Sequence, residues 1–465
     1  MYKIFVSNVQ SQLSGYTMAL EKELTFTYEG YQYSPKYKAG LWDGMWHALK
    51  VPSLKFPTGL LPNVVGYFAR NNIDFEIIDL RRIPNSCKKD ISADMLGGIT
   101  LRDYQLDAIK EAAEAKRGVL ELPTGSGKTE IAAGIIIHLG LKTLFLVHTQ
   151  DLLRQTAKRF TERLGQTIGM VGDGEFNTNP AVVVATVQSL SAYSHRDPEG
   201  FKNLINSFFV LFQDEAHHSS ASTWYKIGMY AHSAYYRYGL SGTVLRRDML
   251  SNMKMLSVFG APIQRIRSKA LMDKGYLSGI NIELVSNPEQ VSGYRWPDIY
   301  ENGIVHSWSR NNTIAQIAAE EHKAGNKVLI LIRIIEHGNE ITDMLSARGV
   351  SSIFLTGKDS SEAREYAMID FNETGNFVLI ASPIFSEGVD IPEINTLIIA
   401  AGGKSEVLTI QRIGRGLRPK ADGSKLKVYD FLDSSKYLCD HSAERVAIYK
   451  AEGFPCEKRK AKRII

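Results

Sequence analysis

Cysteine is scarce in this sequence: Cys87, Cys439 and Cys456 form an odd, widely spaced set among 465 residues. With no CxxC pair, they argue against a disulfide framework, a zinc site and a four-cysteine iron–sulfur cluster, and they fit a reducing cytoplasm. Long apolar runs are missing as well. The most apolar stretch, Ile131 to Val147, is broken by His138 and Lys142, and the opening MYKIFVSNVQ lacks the basic and apolar regions of a secretory leader. Neither a membrane span nor a signal peptide is therefore expected. Nor is there a large excess of either charge. A net charge of +5 permits a nucleic-acid partner without requiring one. Only the C-terminus is locally basic, where Lys458, Arg459, Lys460, Lys462 and Arg463 face Glu457 alone. Such a tail suits phosphates, and equally a solvated terminus.

What is present is ordinary globular material, 44% hydrophobic and 23% charged, in a chain long enough for roughly three units of the usual 100 to 200 residues. From Arg117 onward short apolar runs recur (GVLEL, TLFLV, AVVVAT, FFVLFQ), each bounded by polar or turn residues. Buried parallel strands read this way. Between them lie segments of helical spacing, such as Leu152, Leu153, Ala157, Phe160 and Leu164, and strand alternating with helix predicts a doubly wound sheet. The stretch from Ile266 to Arg310 has no clean periodicity. A second series then follows: KVLILI, SSIFL, FVLIAS, TLIIAA and LKVYDFL, with helical stretches such as Ser361 to Phe371 between them. The expected organisation is a small α+β module over 1–90, two tandem α/β domains over 91–270 and 271–445, and a basic tail over 446–465. The linker after the module is expected between Arg81 and Gly98.

ELPTGSGKTEIAAGIII sets a Gly-rich turn after a strand and before a helix, the context a phosphate-binding loop needs. Backbone N–H groups of Pro123-flanked Thr124, Gly125, Ser126 and Gly127 would face the phosphates of ATP. Lys128 would neutralise the β- and γ-phosphates, and the Thr129 hydroxyl would bind Mg²⁺. Leu122 stands where the strict GxxxxGK[ST] pattern has its first glycine. FFVLFQDEAHH ends a strand in two adjacent carboxylates. Beside a phosphate loop, Asp214 is expected to hold the metal and Glu215 to orient the attacking water. An isolated acidic pair would instead be a helix cap. Far downstream, QRIGRGLRP carries Arg412, Arg415 and Arg418, the last two spaced to share a helical face.

From Leu101 to Phe431 these motifs resemble the superfamily 2 helicases. The resemblance implies RecA-like folds for both α/β domains and an ATP-hydrolysing motor. In LRDYQLDAI it implies that Gln105 reads adenine; Ser241 to Thr243, SGT, would couple hydrolysis to domain movement. Arg415 and Arg418 would be arginine fingers, with Gln411 beside them. In LIASPIFSEGVDIP, Gly388 would allow a tight turn and Asp390 would accept from the ribose, while Glu387 departs from the family pattern. Backbone-directed, sequence-independent nucleic-acid contacts are expected from Thr149, Gln155, Gly172, Thr186 and Gln188 in the first domain. Arg333, Thr356, Gly357 and Arg364 are their counterparts in the second. Each of these has a plain alternative as a helix cap or turn residue.

The segment YEGYQYSPKYKAGLWDGMWHALK interleaves aromatics with Lys36, Lys38, His47 and Lys50. Such a mixture stacks on bases or builds a small aromatic core, and both remain open. Its Tyr31, Pro35, Gly40, Trp42, Asp43 and Gly44 resemble the N-terminal segment of phage UvsW-type helicases. That resemblance implies remodelling of branched DNA (junctions, forks and R-loops) in recombination and repair, with 3′ to 5′ polarity. It also implies a host-cytoplasmic location and single-strand-binding or recombination proteins as partners. The motor of a restriction or excision-repair assembly, or an RNA helicase, are the alternatives.

Overall fold

The computed structural model describes residues 1–242, 248–293, 295–374, 378–382, 394–403 and 423–459. The chain divides into two compact units, 1–122 with 127–265, and 266–465 with the short segment 123–126.

The first unit begins with β1 (Tyr2–Val6), β2 (Gln10–Leu13), β3 (Thr25–Thr27), β4 (Met45–His47), β5 (Lys55–Pro57) and β6 (Phe75–Asp79). Four of these make a mixed sheet in the order β5-β2-β1-β6, while β3 and β4 pair as a separate ribbon. The helix Leu61–Arg70 buries Val64, Tyr67 and Phe68. The core that results is not private to this module. Ile4, Val6, Phe56, Val64 and Phe68 form one cluster with Met255, Leu256, Val258 and Phe259 of the helix Met249–Phe259, and with Val119 and Ala216. At Gly59 the approach is so close that a Cβ would lie 1.9 Å from the Leu256 carbonyl oxygen. Only glycine fits there.

The same unit continues with β7 (Arg117–Glu121), β8 (Thr143–Val147), β9 (Gly169–Gly172), β10 (Glu175–Phe176), β11 (Val182–Thr186), β12 (Val210–Gln213), β13 (Tyr236–Ser241) and β14 (Pro262–Arg265). They build one sheet in the order β10-β9-β11-β8-β12-β13-β7-β14, parallel except for β10 against β9. Every residue of β8, β11 and β12 is buried, as the Val- and Leu-rich runs require of strands covered on both faces. β13 was not apparent as an apolar run because Arg237 sits inside it. That guanidinium is buried, and it donates to the carbonyls of Ala234, Gly228 and Ala231.

The second unit holds β15 (Ile280–Asn287), β16 (Val328–Leu331), β17 (Ser352–Leu355), β18 (Val378–Ala381), β19 (Thr396–Ile399), β20 (Leu426–Asp433) and β21 (Cys456–Lys458). Their order is β17-β18-β16-β19-β20-β15-β21, with all pairings parallel. Both α/β domains are thus doubly wound parallel sheets, preceded by an α+β module. The stretch from 266 to 310 is not irregular throughout: β15 runs for eight residues within it, burying Ile280, Ile282 and Leu284 while Asn281 and Glu283 stay half-buried. The segment expected as a tail begins inside the helix Leu438–Ala451 and continues into β21. Among the described residues no helix is long and apolar enough to cross a membrane.

Candidate nucleotide and nucleic-acid site

The phosphate loop joins β7 to the helix Lys128–Leu139, whose N-cap is Gly127. Gly125 and Gly127 have φ of +83° and +80°, the left-handed conformation that glycine adopts without strain and that turns successive N–H groups toward one point. A Cβ on Gly127 would stand 2.4 Å from Gln105 Nε2 and 3.2 Å from Glu130 Oε2. Pro123 and Ser126 are buried, Gly125 is exposed, and Thr124 and Thr129 are half-buried. Leu122 explains the departure from the strict pattern. It is fully buried and donates its N–H to the Ser241 carbonyl at 2.8 Å, so the strand runs one residue further before the turn begins.

Gln105 lies beside this loop, but its oxygen is engaged: Oε1 accepts from Arg102 N at 2.9 Å, capping the helix Asp103–Ala115. In this structure it braces Gly127.

The two carboxylates follow β12. Asp214 N donates to Leu146 O at 2.9 Å, and Glu215 N to Asp214 Oδ1 at 2.9 Å. Glu215 itself is left-handed, with φ +49°, a conformation that costs a non-glycine residue on the order of 1 kcal/mol and is found at functional turns. Lys128 Nζ reaches Glu215 Oε1 at 3.4 Å. His217 Nδ1 lies 3.3 Å from Glu215 Oε2 and 3.2 Å from Ser241 Oγ. Burial, then the adjacent Glu215 carboxylate, push Asp214 up to about 6 against the pull of Lys128. Burial acts upward on Glu215 too, but Lys128, His217 and His218 outweigh it and hold that carboxyl below the usual range. The pair thus divides its charge unequally, with one carboxylate fixed by a lysine and the other short of a cation.

Among the described residues no group of three or more His, Cys, Asp or Glu side chains is placed to hold a metal. One carboxylate with a threonine hydroxyl suits Mg²⁺ completed by phosphate oxygens and water, and not a metal caged by protein.

The nucleic-acid candidates of the first domain gather at the C-terminal ends of the adjacent strands β9, β11 and β8. Thr149 caps the helix Gln150–Leu164 by accepting from Leu152 N at 3.2 Å, and Thr186 caps Val187–Arg196 by accepting from Ser189 N at 3.2 Å. Gly172 has φ +140°, and a Cβ there would lie 3.0 Å from Thr186 Oγ1. Gln155 and Gln188 are exposed on those two helices. In the second domain Thr356 and Arg364 are both tied to Asp359: its carboxylate accepts from Thr356 N at 2.6 Å and its carbonyl from Arg364 Nε at 3.1 Å. Gly357 and Arg333 are exposed, and Arg333 lies 5.5 Å over the Tyr300 ring. Thr243, Glu387, Gly388, Asp390, Gln411, Arg412, Arg415, Arg418 and the distal basic residues Lys460, Lys462 and Arg463 lie outside the described residues.

In the N-terminal module the aromatics largely pack on one another: Tyr28 on Trp42 at 5.1 Å, Tyr31 on Tyr37 at 4.7 Å and Phe26 on Trp46 at 5.9 Å. Tyr33 remains 75% exposed. Trp46 and Tyr28 also reach the motor, at Tyr225 and Lys254.

His217, His218 and His148 sit beside these motifs without an expected role. The doubled histidine after Asp214-Glu215, and the His148 preceding Thr149, were the available signals.

Family models match three segments: the res subunit of type III restriction enzymes over residues 98–246, the helicase conserved C-terminal domain over 309–420, and the N-terminal domain of the DNA helicase UvsW over 6–79. The chain is 24% identical to the ATP-dependent DNA helicase UvsW of Enterobacteria phage T4, over 92% of each chain. It is 28% identical to the DNA 3′-5′ translocase XPB2 of Sulfurisphaera tokodaii, over 84% of this chain and 93% of that one. Among solved structures it resembles a protein described as the HsdR subunit of a type I restriction enzyme from Vibrio vulnificus. The TM-score is 0.59 at 20% identity, over 80% of this chain and 69% of that fragment. By these matches the chain is an ATP-dependent helicase, hence an ATP hydrolase, similar to the superfamily 2 helicases and with a segment that matches the UvsW N-terminal domain.

Proposed function

We propose that this helicase translocates 3′ to 5′ on DNA and remodels branched substrates, such as forks, junctions and R-loops. The observation that carries this reading is the UvsW-type module over residues 6–79, built into the same core as the first motor sheet. Lys128 and the loop from Pro123 to Thr129 bind the nucleotide phosphates, and Glu215 orients the hydrolytic water. Thr129 and Asp214 would hold Mg²⁺, which neutralises developing phosphate charge when bound. Thr149, Gly172, Thr186 and Gln188 serve one stretch of backbone, since they share one edge of the sheet. Arg415 and Arg418 supply transition-state charge from the second domain.

The test is ATP hydrolysis with linear duplex, forked and four-way DNA and with duplex RNA of equal length. Branched DNA should stimulate most, and Lys128→Ala should lower the stimulated rate on the order of 10²- to 10³-fold. Stimulation by RNA equal to that by DNA would defeat the reading. Equal stimulation by linear and branched duplex would favour the motor of a restriction assembly, the second reading suggested by the match over 98–246.

A further inference from the structure

One route through the first unit joins the nucleic-acid edge of the sheet to the hydrolytic carboxylate without passing through the phosphate loop. It begins where β8 ends. His148 directly precedes Thr149, whose hydroxyl caps the helix Gln150–Leu164. The His148 ring lies 5.2 Å from the ring of His218, tilted by 43°. His218 in turn lies 4.3 Å from His217 and stacks at 20° on Trp224, 6.0 Å away. His217 touches the Glu215 carboxylate at 3.3 Å. Both histidines belong to the single 3-10 turn Ala216–Ser220, which starts at the left-handed Glu215.

Two features make this a lever and not mere filling. Glu215 holds an unfavourable backbone conformation, so its carboxylate direction is set by what anchors the turn after it. His218 is that anchor, in ring contact with both Trp224 and His148. Any displacement of the Thr149 turn reaches His148 through one peptide bond, and His148 meets His218 ring against ring. Packed rings pass displacement on in discrete steps because they cannot compress.

We propose that His148 is a positioning residue that transmits occupancy of the Thr149 turn, through the His218 ring, to the Glu215 carboxylate. This rests on the proposed reading of Thr149 as a nucleic-acid contact and of the enzyme as DNA-stimulated. The ring contact carries the coupling, so an aromatic replacement should preserve it and a small one should not.

The experiment uses the full chain as wild type, His148→Ala and His148→Phe. Basal ATP hydrolysis, ATP hydrolysis at saturating forked DNA, and affinity for a fluorescent fork by anisotropy are measured for each. The expected result is that His148→Ala keeps the basal rate and the fork affinity but loses on the order of tenfold in maximal stimulation, a typical size for coupling between sites. His148→Phe should recover most of it. Undiminished stimulation in His148→Ala overturns the proposal, as does a basal rate or affinity that falls in step with it, or a failure of phenylalanine to rescue. A wild-type rate that DNA does not raise would instead bring down the proposed function itself.

Discussion

Both α/β sheets carry carboxylates within or just after an internal strand, yet the two clusters are built on opposite terms. In the second sheet, Asp430 of β20 accepts from Arg445 Nε at 2.8 Å and Nη2 at 3.0 Å, from Tyr449 at 2.7 Å and from Phe431 N at 2.8 Å. Asp433 accepts from Arg310 Nε at 3.1 Å and Asn287 at 2.9 Å. Burial alone would lower Arg445, but Asp430 more than offsets it and raises the guanidinium above its ordinary value. At the end of β12, two carboxylates share one lysine, and Asp214 is pushed up to about 6, first by burial and then by its neighbour. A buried charge with a matched partner holds a fold together; a half-buried pair short of one positive charge is arranged for something that arrives.

Breaking the matched cluster should have the largest effect. Arg445→Ala leaves Asp430 buried without its partner and should cost about 3 to 5 kcal/mol, read as a lower urea midpoint for the second unit. The mismatched cluster should respond in the reverse sense. Asp214→Asn removes an unneeded charge, so stability should hold or rise by about 0.5 to 2 kcal/mol while hydrolysis falls at least on the order of 10²-fold. A destabilised but active Asp214→Asn would erase the distinction between the clusters.

His337 sharpens the comparison, being buried with no charge to match. Burial, with Arg310 and His306 adding to it, pushes its imidazole down to about 3. The unfolded chain titrates near 6.5, so between those values the unfolded state holds the extra proton. The contribution of His337 is therefore complete above about pH 6.5 and declines as pH falls, at about 1.4 kcal/mol per pH unit. Urea unfolding of the second unit between pH 7 and 5 should show this slope, reduced in His337→Asn. An unchanged slope in the variant would remove His337 as its source.

The strands of both sheets were readable where the run was uniformly Val, Leu, Ile and Phe, because burial on both faces leaves no room for anything else. β13 was hidden by Arg237, whose three backbone acceptors come from outside the strand. β15 was hidden because it alternates near the sheet edge, where one face is only half covered. The phosphate loop and the Asp214–Glu215 pair were readable because their chemistry is local in sequence. The path from His148 to His218 was not, since nothing in a linear string tells that the turns after β8 and β12, neighbours in the sheet, bring two rings into contact. Gln105 does lie beside the phosphate loop, but its engagement in the helix cap was not legible, because capping depends on where Arg102 N points.

Gly59 gives the chain a property that its apparent division into module and motor conceals. With no room for even a methyl group against Leu256, and with Ala216, the residue after Glu215, in the same cluster as Ile4 and Phe68, residues 1–79 share their interior with the motor. They are expected to melt with the first motor sheet as one cooperative block, and cutting them away would strip the wall from behind the hydrolytic turn. The UvsW-type module is, in mechanical terms, also the backing plate of the engine.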